Sequence, residues 1–154
     1  MLRRAGPTDL PRIANLIAAH PMQLLGQDLD WLTRQAKAPE NRVMVWDRDG
    51  LAGFAVLELA YPQVVNLMNL AVARPGGGEG RALIRAALDV AFAEMAAHRL
   101  FCDIAHDNAP ALAAFTRAGL QREGTLRQCW LRAGVWEDCH AFSILRDEWT
   151  GLRT

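Results

Sequence analysis

Four glycines within five residues, Gly76, Gly77, Gly78 and Gly80, follow a strand-like run and precede a helix-like one. The start of a helix carries backbone N–H groups without partners inside the helix, together with the positive end of the helix dipole. Glycine lets these amides converge at positive φ angles and places no β-carbon in the way of a phosphate. The turn therefore predicts an anion site at residues 76–81, with a flexible loop as the plainer alternative.

Two common phosphate-binding patterns do not fit this turn. A nucleoside-triphosphate loop needs Gly-x-x-x-x-Gly-Lys-Ser/Thr, but Arg81 stands five positions after Gly76 and neither lysine nor serine follows it. A dinucleotide fingerprint, Gly-x-Gly-x-x-Gly, that starts at Gly76 or Gly78 would put its third glycine on Arg81 or Leu83. A different phosphate-bearing ligand is therefore expected.

Two motifs resemble the GNAT family of N-acetyltransferases. Its acetyl-CoA loop has the form Gln/Arg-x-x-Gly-x-Gly/Ala at a helix start, and Gly78-Glu79-Gly80 matches the glycine positions, with Pro75 at the first position. The run from Asn108 to Leu120 resembles the family's Asn-x-x-Ala and Leu/Tyr-x-x-x-Gly-Phe helix. The segment from Glu123 to Trp149 is similar to the subgroup that acetylates ribosomal-protein N-termini and related amines.

The resemblance implies an α/β fold with a mixed, mostly antiparallel twisted sheet, a splayed central strand pair and helices on both faces. The pantetheine arm of acetyl-CoA would lie between the splayed strands, against the main chain of Leu70, Ala71 and Val72. Its pyrophosphate would bind Gly76, Gly77, Gly78, Glu79, Gly80 and Arg81.

The resemblance also implies roles for two residues of the second motif. Asn108 would hydrogen-bond the pantetheine arm, act as the N-cap of its own helix, or do both. Many family members place a tyrosine where this chain has Phe115. Because phenylalanine has no proton to give, we expect Phe115 to pack on the cofactor.

Direct acyl transfer requires a neutral amine, a base and a donor for the developing oxyanion. The resemblance implies that a backbone N–H near Val72 is this donor. Many family members carry an acidic residue as the base at the position of Asn66, and asparagine cannot act as a base. Glu58, in a neighbouring apolar strand, is the predicted replacement, because partial burial makes a carboxylate accept a proton more readily. His106, His140 and a water chain are alternatives.

Hydrophobic periodicity predicts the elements that position these residues. Helices are expected from Leu10 to about His20, over Asp28–Lys37, from Leu83 to about His98, and over Asn108–Arg117, with Thr8 capping the first and Gly119 ending the last. Strands are expected over Val43–Trp46, Leu51–Leu59, Val64–Ala73 and Leu100–Ala105, with a final hairpin of Leu126–Arg132 and Val135–Ile144.

Composition limits the partners. The 154 residues predict one acetyltransferase domain over 1–154, and 17 basic residues balance 17 acidic ones, so no net field favours nucleic acid or an anionic membrane. Three cysteines show neither zinc-site spacing nor an even number for disulfides, which predicts no metal site and a reducing cytoplasm. With no apolar run of membrane-spanning length, a soluble, unprocessed protein is expected.

Three functions are consistent with these residues. The first is an acetyl-CoA-dependent N-acetyltransferase that acts on a primary amine, in a small molecule or at a protein N-terminus. The second is a non-catalytic acyl-CoA sensor, suggested by Phe115 and Asn66, and the third is a nucleotide-binding domain without CoA. The five tryptophans could line an acceptor pocket, but large aromatics at strand spacing more often form core or dimer surface, and the final hairpin predicts a homodimer.

Overall fold

The computed structural model describes residues 1–153. The strands are β1 (Leu2–Arg4), β2 (Arg42–Asp47), β3 (Leu51–Tyr61), β4 (Val64–Val72), β5 (Arg99–Ala105), β6 (Gln121–Arg132) and β7 (Val135–Leu145). The helices are α1 (Asp9–Ala18), α2 (Leu29–Lys37), α3 (Glu79–Asp89), α4 (Ala109–Arg117) and α5 (Arg146–Leu152), and α3 continues as a π-helical turn over Val90–Glu94. No helix within these residues is long and apolar enough to cross a membrane.

The strands form one sheet in the order β1-β2-β3-β4-β5-β7-β6. All neighbours pair antiparallel except β4 and β5, which are parallel and pair only where Val64–Asn66 meets Arg99–Phe101. Beyond Asn66 the two strands separate, so a gap opens between the second half of β4 and the second half of β5. The mixed, mostly antiparallel sheet with a splayed central pair is confirmed.

Each face of the sheet carries its own apolar core. The face under α3 packs side chains from that helix, such as Leu83 and Leu88, against Leu100 of β5 and Ile144 of β7. The opposite face packs α1 and α2 against β2 and β3, with Ile13, Ile17, Leu32, Val45 and Phe54 at its centre. The amphipathic periodicity that predicted these helices reflects their placement on the two faces.

Several boundaries differ from the prediction. The predicted helix to His98 was too long, because Met95 N–H donates to Val90 O and Ala97 N–H to Ala91 O, wide turns that end the helix. Strand β6 begins five residues before the predicted Leu126, and neither β1 nor α5 was expected. Strand β1 is too short to show a two-residue period.

The two predicted helix ends have different outcomes. Thr8 makes no side-chain capping bond, and the carboxylate of Asp9 instead accepts the Gly6 N–H at 2.7 Å. Gly119 has φ of 103°, and its N–H donates to Thr116 O, so it ends α4 in the left-handed region as predicted.

Candidate active site

The glycine turn has the conformation that only glycine adopts without strain. Gly76, Gly77 and Gly78 have φ angles of 107°, 65° and 78°. The first hydrogen bond inside α3 is from Ala82 N–H to Gly78 O, while Glu79 N–H makes a long bond of 3.4 Å to Gly76 O. The amides of the first turn of α3 therefore lack intrahelical acceptors, an arrangement that suits an anion.

A cavity of about 480 Å³ lies beside this turn, between the second half of β4 and helix α4. Its volume is in the range of small-molecule and cofactor sites. The predicted cofactor residues among its lining are Leu70, Ala71, Val72, Gly76, Gly78, Gly80, Arg81, Asn108 and Phe115, whereas Gly77 and Glu79 are not part of it. The structure thus brings predicted residues from β4, the glycine turn and the α4 region to one cavity, and their role in binding stays a prediction.

The wall of this cavity suits a diphosphate. A β-carbon built on Gly80 would meet no heavy atom within 4 Å, so the space above the helix start is open. Arg81 and Arg117 also line the cavity and contribute positive charge, and the second of these was not anticipated from the sequence. Open approach to unpaired amides, flanked by two guanidinium groups, fits the pyrophosphate of CoA.

The side chain of Glu79 makes contacts that the sequence did not predict. Its carboxylate accepts a hydrogen bond of 2.6 Å from the indole Nε1 of Trp46 and lies 3.5 Å from Arg48, whose guanidinium covers the Trp46 ring at 4.7 Å. The side chain therefore fastens the start of α3 to β2. Because 33 residues separate Glu79 from Trp46, local sequence could not show this contact.

The main chain of β4 faces the gap in the way that the resemblance implied. Ala73 N–H donates to Ala52 O at 2.7 Å, toward β3. Successive residues of a strand direct their backbone groups to opposite sides, so the N–H groups of Val72 and Leu70 point away from β3. They point toward the gap, where β5 no longer pairs with β4.

Asn108, the N-cap of α4, and Phe115 within that helix both line two neighbouring cavities. The Oδ1 of Asn108 accepts the Ala111 N–H at 3.4 Å, so its capping role is confirmed, while its role toward a cofactor stays a prediction. Phe115 is 7% exposed, belongs to the core under α3, and still lines both cavities. It contributes an apolar surface.

The second cavity, of about 220 Å³, adjoins the first on the side of α1 and α2. The two share lining residues, namely Gln23, Leu24, Leu70, Asn108, Ala111 and Phe115. Its remaining polar lining residues include Asn69, Asp103, Cys129 and Cys139, none of which was assigned a role from the sequence. The two cavities are therefore adjacent, and both lie at the gap between the splayed strands.

Asp103 is the titratable group that the second cavity adds. The residue is exposed to solvent, but desolvation by the surrounding strands still raises the pKa of its carboxyl group. Within residues 1–153 the side chain makes neither a hydrogen bond nor an ion pair. Asn69, across the gap on β4, is 5% exposed and donates to Gln27 Oε1 at 2.9 Å. The sequence showed Asp103 only as a lone acid in an apolar strand.

The bases considered from the sequence lie elsewhere. Glu58 pairs with Asn66 across β3 and β4, at the paired end of the splayed strands, and neither lines either cavity. His106 Nε2 lies 2.6 Å from Glu137 Oε2. His140 Nδ1 lies 3.1 Å from the Thr125 hydroxyl, and desolvation lowers its pKa.

A buried arginine of the last hairpin holds the chain between α1 and α2 over both cavities. Arg132 donates to Met22 O at 2.9 Å and to both carboxylate oxygens of Asp107, at 2.9 and 2.7 Å. These bonds keep the pKa of Asp107 below its ordinary range. Gln23 and Leu24, next to Met22, are therefore held in place by contacts from β6.

Known proteins resemble the chain over this site. Residues 10–120 match the family model described as the acetyltransferase (GNAT) family. An uncharacterised N-acetyltransferase, YnaD of Bacillus subtilis (strain 168), is 31% identical over 65 residues. That alignment spans 42% of this chain and 38% of the length of the relative.

Solved structures agree over the full fold. A mutant form of the spermidine/spermine N-acetyltransferase SpeG from Vibrio cholerae superposes with a TM-score of 0.87 at 21% identity, covering 100% of this chain and 98% of that one. The V. cholerae enzyme in complex with CoA and spermine gives 0.85 at 23%, covering 97% of each chain. A ribosomal-protein-alanine N-acetyltransferase from Brucella melitensis gives 0.81 at 24%, covering 94% and 99%. Because the family model spans most of the sequence, the chain belongs to the acetyltransferase (GNAT) family.

Proposed function

We propose that this protein transfers the acetyl group of acetyl-CoA to a primary amine by direct attack of the amine on the thioester, within one domain over residues 1–154. The observation that carries the proposal is the cavity beside α3, where the glycine turn, Arg81 and the gap in the sheet meet. Family membership supports acetyl-CoA as the donor, and the solved relative bound to CoA and spermine supports an amine as the acceptor.

Different residues of this chain would bind different parts of acetyl-CoA. When bound, the cofactor supplies an acyl carbon activated as a thioester. The turn from Gly76 to Arg81 would bind the pyrophosphate through its amides, with the side chain of Glu79 serving the fold. Leu70, Ala71 and Val72 would bind the pantetheine through backbone groups that β5 leaves unpaired.

The groups around the thioester would orient and polarise it. The Val72 N–H, directed into the gap, is the proposed donor to the oxyanion. Asn108 would bind the pantetheine arm through its free amide nitrogen, and Phe115 would pack against it. Glu58 stays a candidate for the base from the sequence, although its position at the paired end of the strands does not support this role.

A panel assay tests the proposal. The purified protein is mixed with acetyl-CoA and with polyamines, aminoglycosides, amino acids or peptides with ribosomal-protein N-termini, and release of free thiol is followed. We expect turnover with at least one primary amine. Tight CoA binding by calorimetry without turnover would instead favour an acyl-CoA sensor, for which Phe115 and Asn66 are the supporting residues. Stabilisation by ATP or NAD but not by CoA would contradict both.

The last hairpin supports a homodimer as a further proposal. Its tip exposes large apolar side chains, with Leu131 54%, Val135 56% and Trp136 56% exposed. Exposed apolar groups of this size, clustered together, commonly mark a protein contact surface. Sedimentation should show a dimer that Trp136→Ser converts to a monomer.

A further inference from the structure

The hairpin of β6 and β7 contains a bulge that brings two cysteines to the same cavity. The register shifts between Leu126 and Trp130, so that residues 127–129 of β6 lie opposite a single residue of β7, Asp138. Within the bulge, Gln128 has a positive φ of 46°, and its N–H donates to Asp138 Oδ1 at 2.8 Å. The bulge is thus held by a specific hydrogen bond, and it alters the direction of the side chains around it.

Both cysteines of this hairpin line the second cavity. Cys129 and Trp130 are neighbours in β6, yet both side chains reach that cavity, although side chains of a regular strand alternate between the two faces. The bulge accounts for this exception. Cys139 of β7 lines the same cavity, and its thiol interacts with that of Cys129.

The two thiols differ in their access to solvent. Cys129 is exposed, whereas Cys139 is only 6% exposed, and burial raises its pKa to about 12. A dissolved reagent therefore meets Cys129 first. The third cysteine, Cys102, is buried in the core under α3 and lines neither cavity. An exposed thiol beside a buried one suits a redox-sensitive pair, in which the first reacts and the second resolves.

We propose that Cys129 and Cys139 form a redox-sensitive dithiol, which a low-molecular-weight disulfide such as glutathione disulfide converts to an intramolecular disulfide. The Cys129 sulfur attacks one sulfur of the reagent and releases one thiol, and the Cys139 sulfur then attacks Cys129 and releases the other. The protein thiols are oxidised, the S–S bond of the reagent is reduced, and both protons pass to the released thiols. Because bound Cys129 can no longer ionise, one cause of the raised pKa of Cys139 is removed before the second step.

The disulfide would change the second cavity and leave the glycine turn as it is. It would bring the two sulfur atoms to about 2 Å from each other and tie the bulge to β7. Neither cysteine lines the cavity beside the glycine turn. Since the two cavities are adjacent, we expect oxidation to lower turnover without weakening CoA binding. This effect on turnover rests on the proposed acetyl transfer, whereas the disulfide itself does not.

Peptide mapping tests for the disulfide directly, because trypsin places each cysteine on its own peptide. Cys102 lies in residues 100–117, Cys129 in 128–132 and Cys139 in 133–146. The protein is equilibrated in a series of glutathione redox buffers, quenched with acid, alkylated under denaturing conditions and digested. We expect peptides 128–132 and 133–146 to become linked, with the loss of two hydrogens, while the peptide of Cys102 stays alkylated as the internal control.

Turnover and CoA affinity are measured on the same samples. With the fastest acceptor of the panel, turnover should fall about fivefold or more as the linked peptides accumulate, and dithiothreitol should restore it. The CoA dissociation constant should stay within about twofold by calorimetry, which also verifies that the oxidised protein is folded. Cys129→Ser should give no linked peptides, and its turnover, relative to its own reduced state, should not respond to the buffer.

Three outcomes overturn the assignment: a mixed disulfide at Cys129 without linked peptides, a link through Cys102, or turnover that does not change when the peptides are linked. Absence of turnover in the fully reduced parent overturns the proposed function instead. In that case the linked peptides still decide whether Cys129 and Cys139 form the redox-sensitive pair.

Discussion

Gly80 differs from the glycines before it, because it lies in the first turn of α3 and needs no positive φ. Alanine would therefore fit the backbone and gain roughly 0.5–1 kcal/mol of stability from helix propensity. Its β-carbon would nevertheless occupy the open space where we place a phosphate. We expect Gly80→Ala to unfold at the same or a higher denaturant concentration and to bind CoA about tenfold more weakly by calorimetry.

Gly119→Ala is the converse control. Gly119 has φ of 103°, and a β-carbon there would lie 2.8 Å from Leu152 Cδ1. We expect a loss of about 1–2 kcal/mol in unfolding free energy, with CoA affinity of the folded protein within about twofold. If both variants lose stability and affinity together, Gly80 has no specific role at the phosphate.

Substitutions at Glu79 offer a second test that separates an effect on folding stability from an effect on CoA affinity. Glu79→Ala leaves the indole N–H of Trp46, a residue only 6% exposed, without its acceptor, which should cost about 1–3 kcal/mol in chemical unfolding. CoA affinity should change by less than about threefold, because removal of a negative charge beside the anion site offsets a looser helix start. Glu79→Gln keeps an acceptor and should retain most of the stability. A loss of CoA affinity in Glu79→Ala well above threefold would show that the side chain, as well as the amide, contributes to binding.

At the scale of elements, the segment between α1 and α2 depends on the hairpin of β6 and β7. Arg132→Ala removes the bonds to Met22 O and Asp107 and frees a wall of the second cavity. We expect the KM of the amine to rise about tenfold while the CoA dissociation constant rises less than threefold, since the glycine turn is untouched. Arg127→Ala, exposed on the same strand, is the control and should change neither.

The elements also show which features the sequence could disclose. Hydrophobic periodicity predicted α1, α2, α4 and the paired strands, because each buries one side against a core. It missed β1 and α5, which are short and depend on tertiary contacts: Trp149 of α5 stacks on Phe92 with ring centroids 5.2 Å apart.

The candidate site residues show the same contrast between features set by local sequence and features set by tertiary contacts. The conformation of the glycine turn was predictable because it is local, set by glycines at one helix start. The partner of Glu79 and the cavity that contains Asp103 depend on strands distant in sequence, so the residue types alone gave no indication of them. Glu58, chosen for its apolar neighbours, lies at the paired end of the strands, because a strand pattern does not reveal where the sheet opens.

For the whole molecule, the ion pairs of one arginine, Arg3, join three elements. Asp9 at the start of α1 accepts bonds of 2.7 and 3.2 Å from Arg3 on β1, and Arg3 also contacts Asp47 of β2 at 2.8 Å. Chiefly through the Arg3 bond, the pKa of Asp9 is lowered in the folded state. The resulting stability is fully present above the unfolded pKa, about 3.9, and is lost as pH falls through the lower folded value.

Urea unfolding between pH 6 and pH 2 measures this contribution. We expect stability to decline as pH drops below about 4, and Asp9→Asn to be less stable at pH 7 with a shallower decline. Asp30→Asn, exposed on α2, removes one charge without a buried partner and should follow the parent curve. Parallel curves for Asp9→Asn and the parent would show that Asp9 does not carry the acid sensitivity.

The three-residue pairing of β4 with β5 has a consequence for the protein without its ligand. An unfinished sheet is a template onto which any extended peptide can add, and here the template lies in the middle of the molecule. In the proposed complex, the coenzyme arm would complete the hydrogen bonding that a neighbouring strand would otherwise supply. Under the proposed function, bound acetyl-CoA would therefore protect the chain against association with other peptides as well as donate the acetyl group.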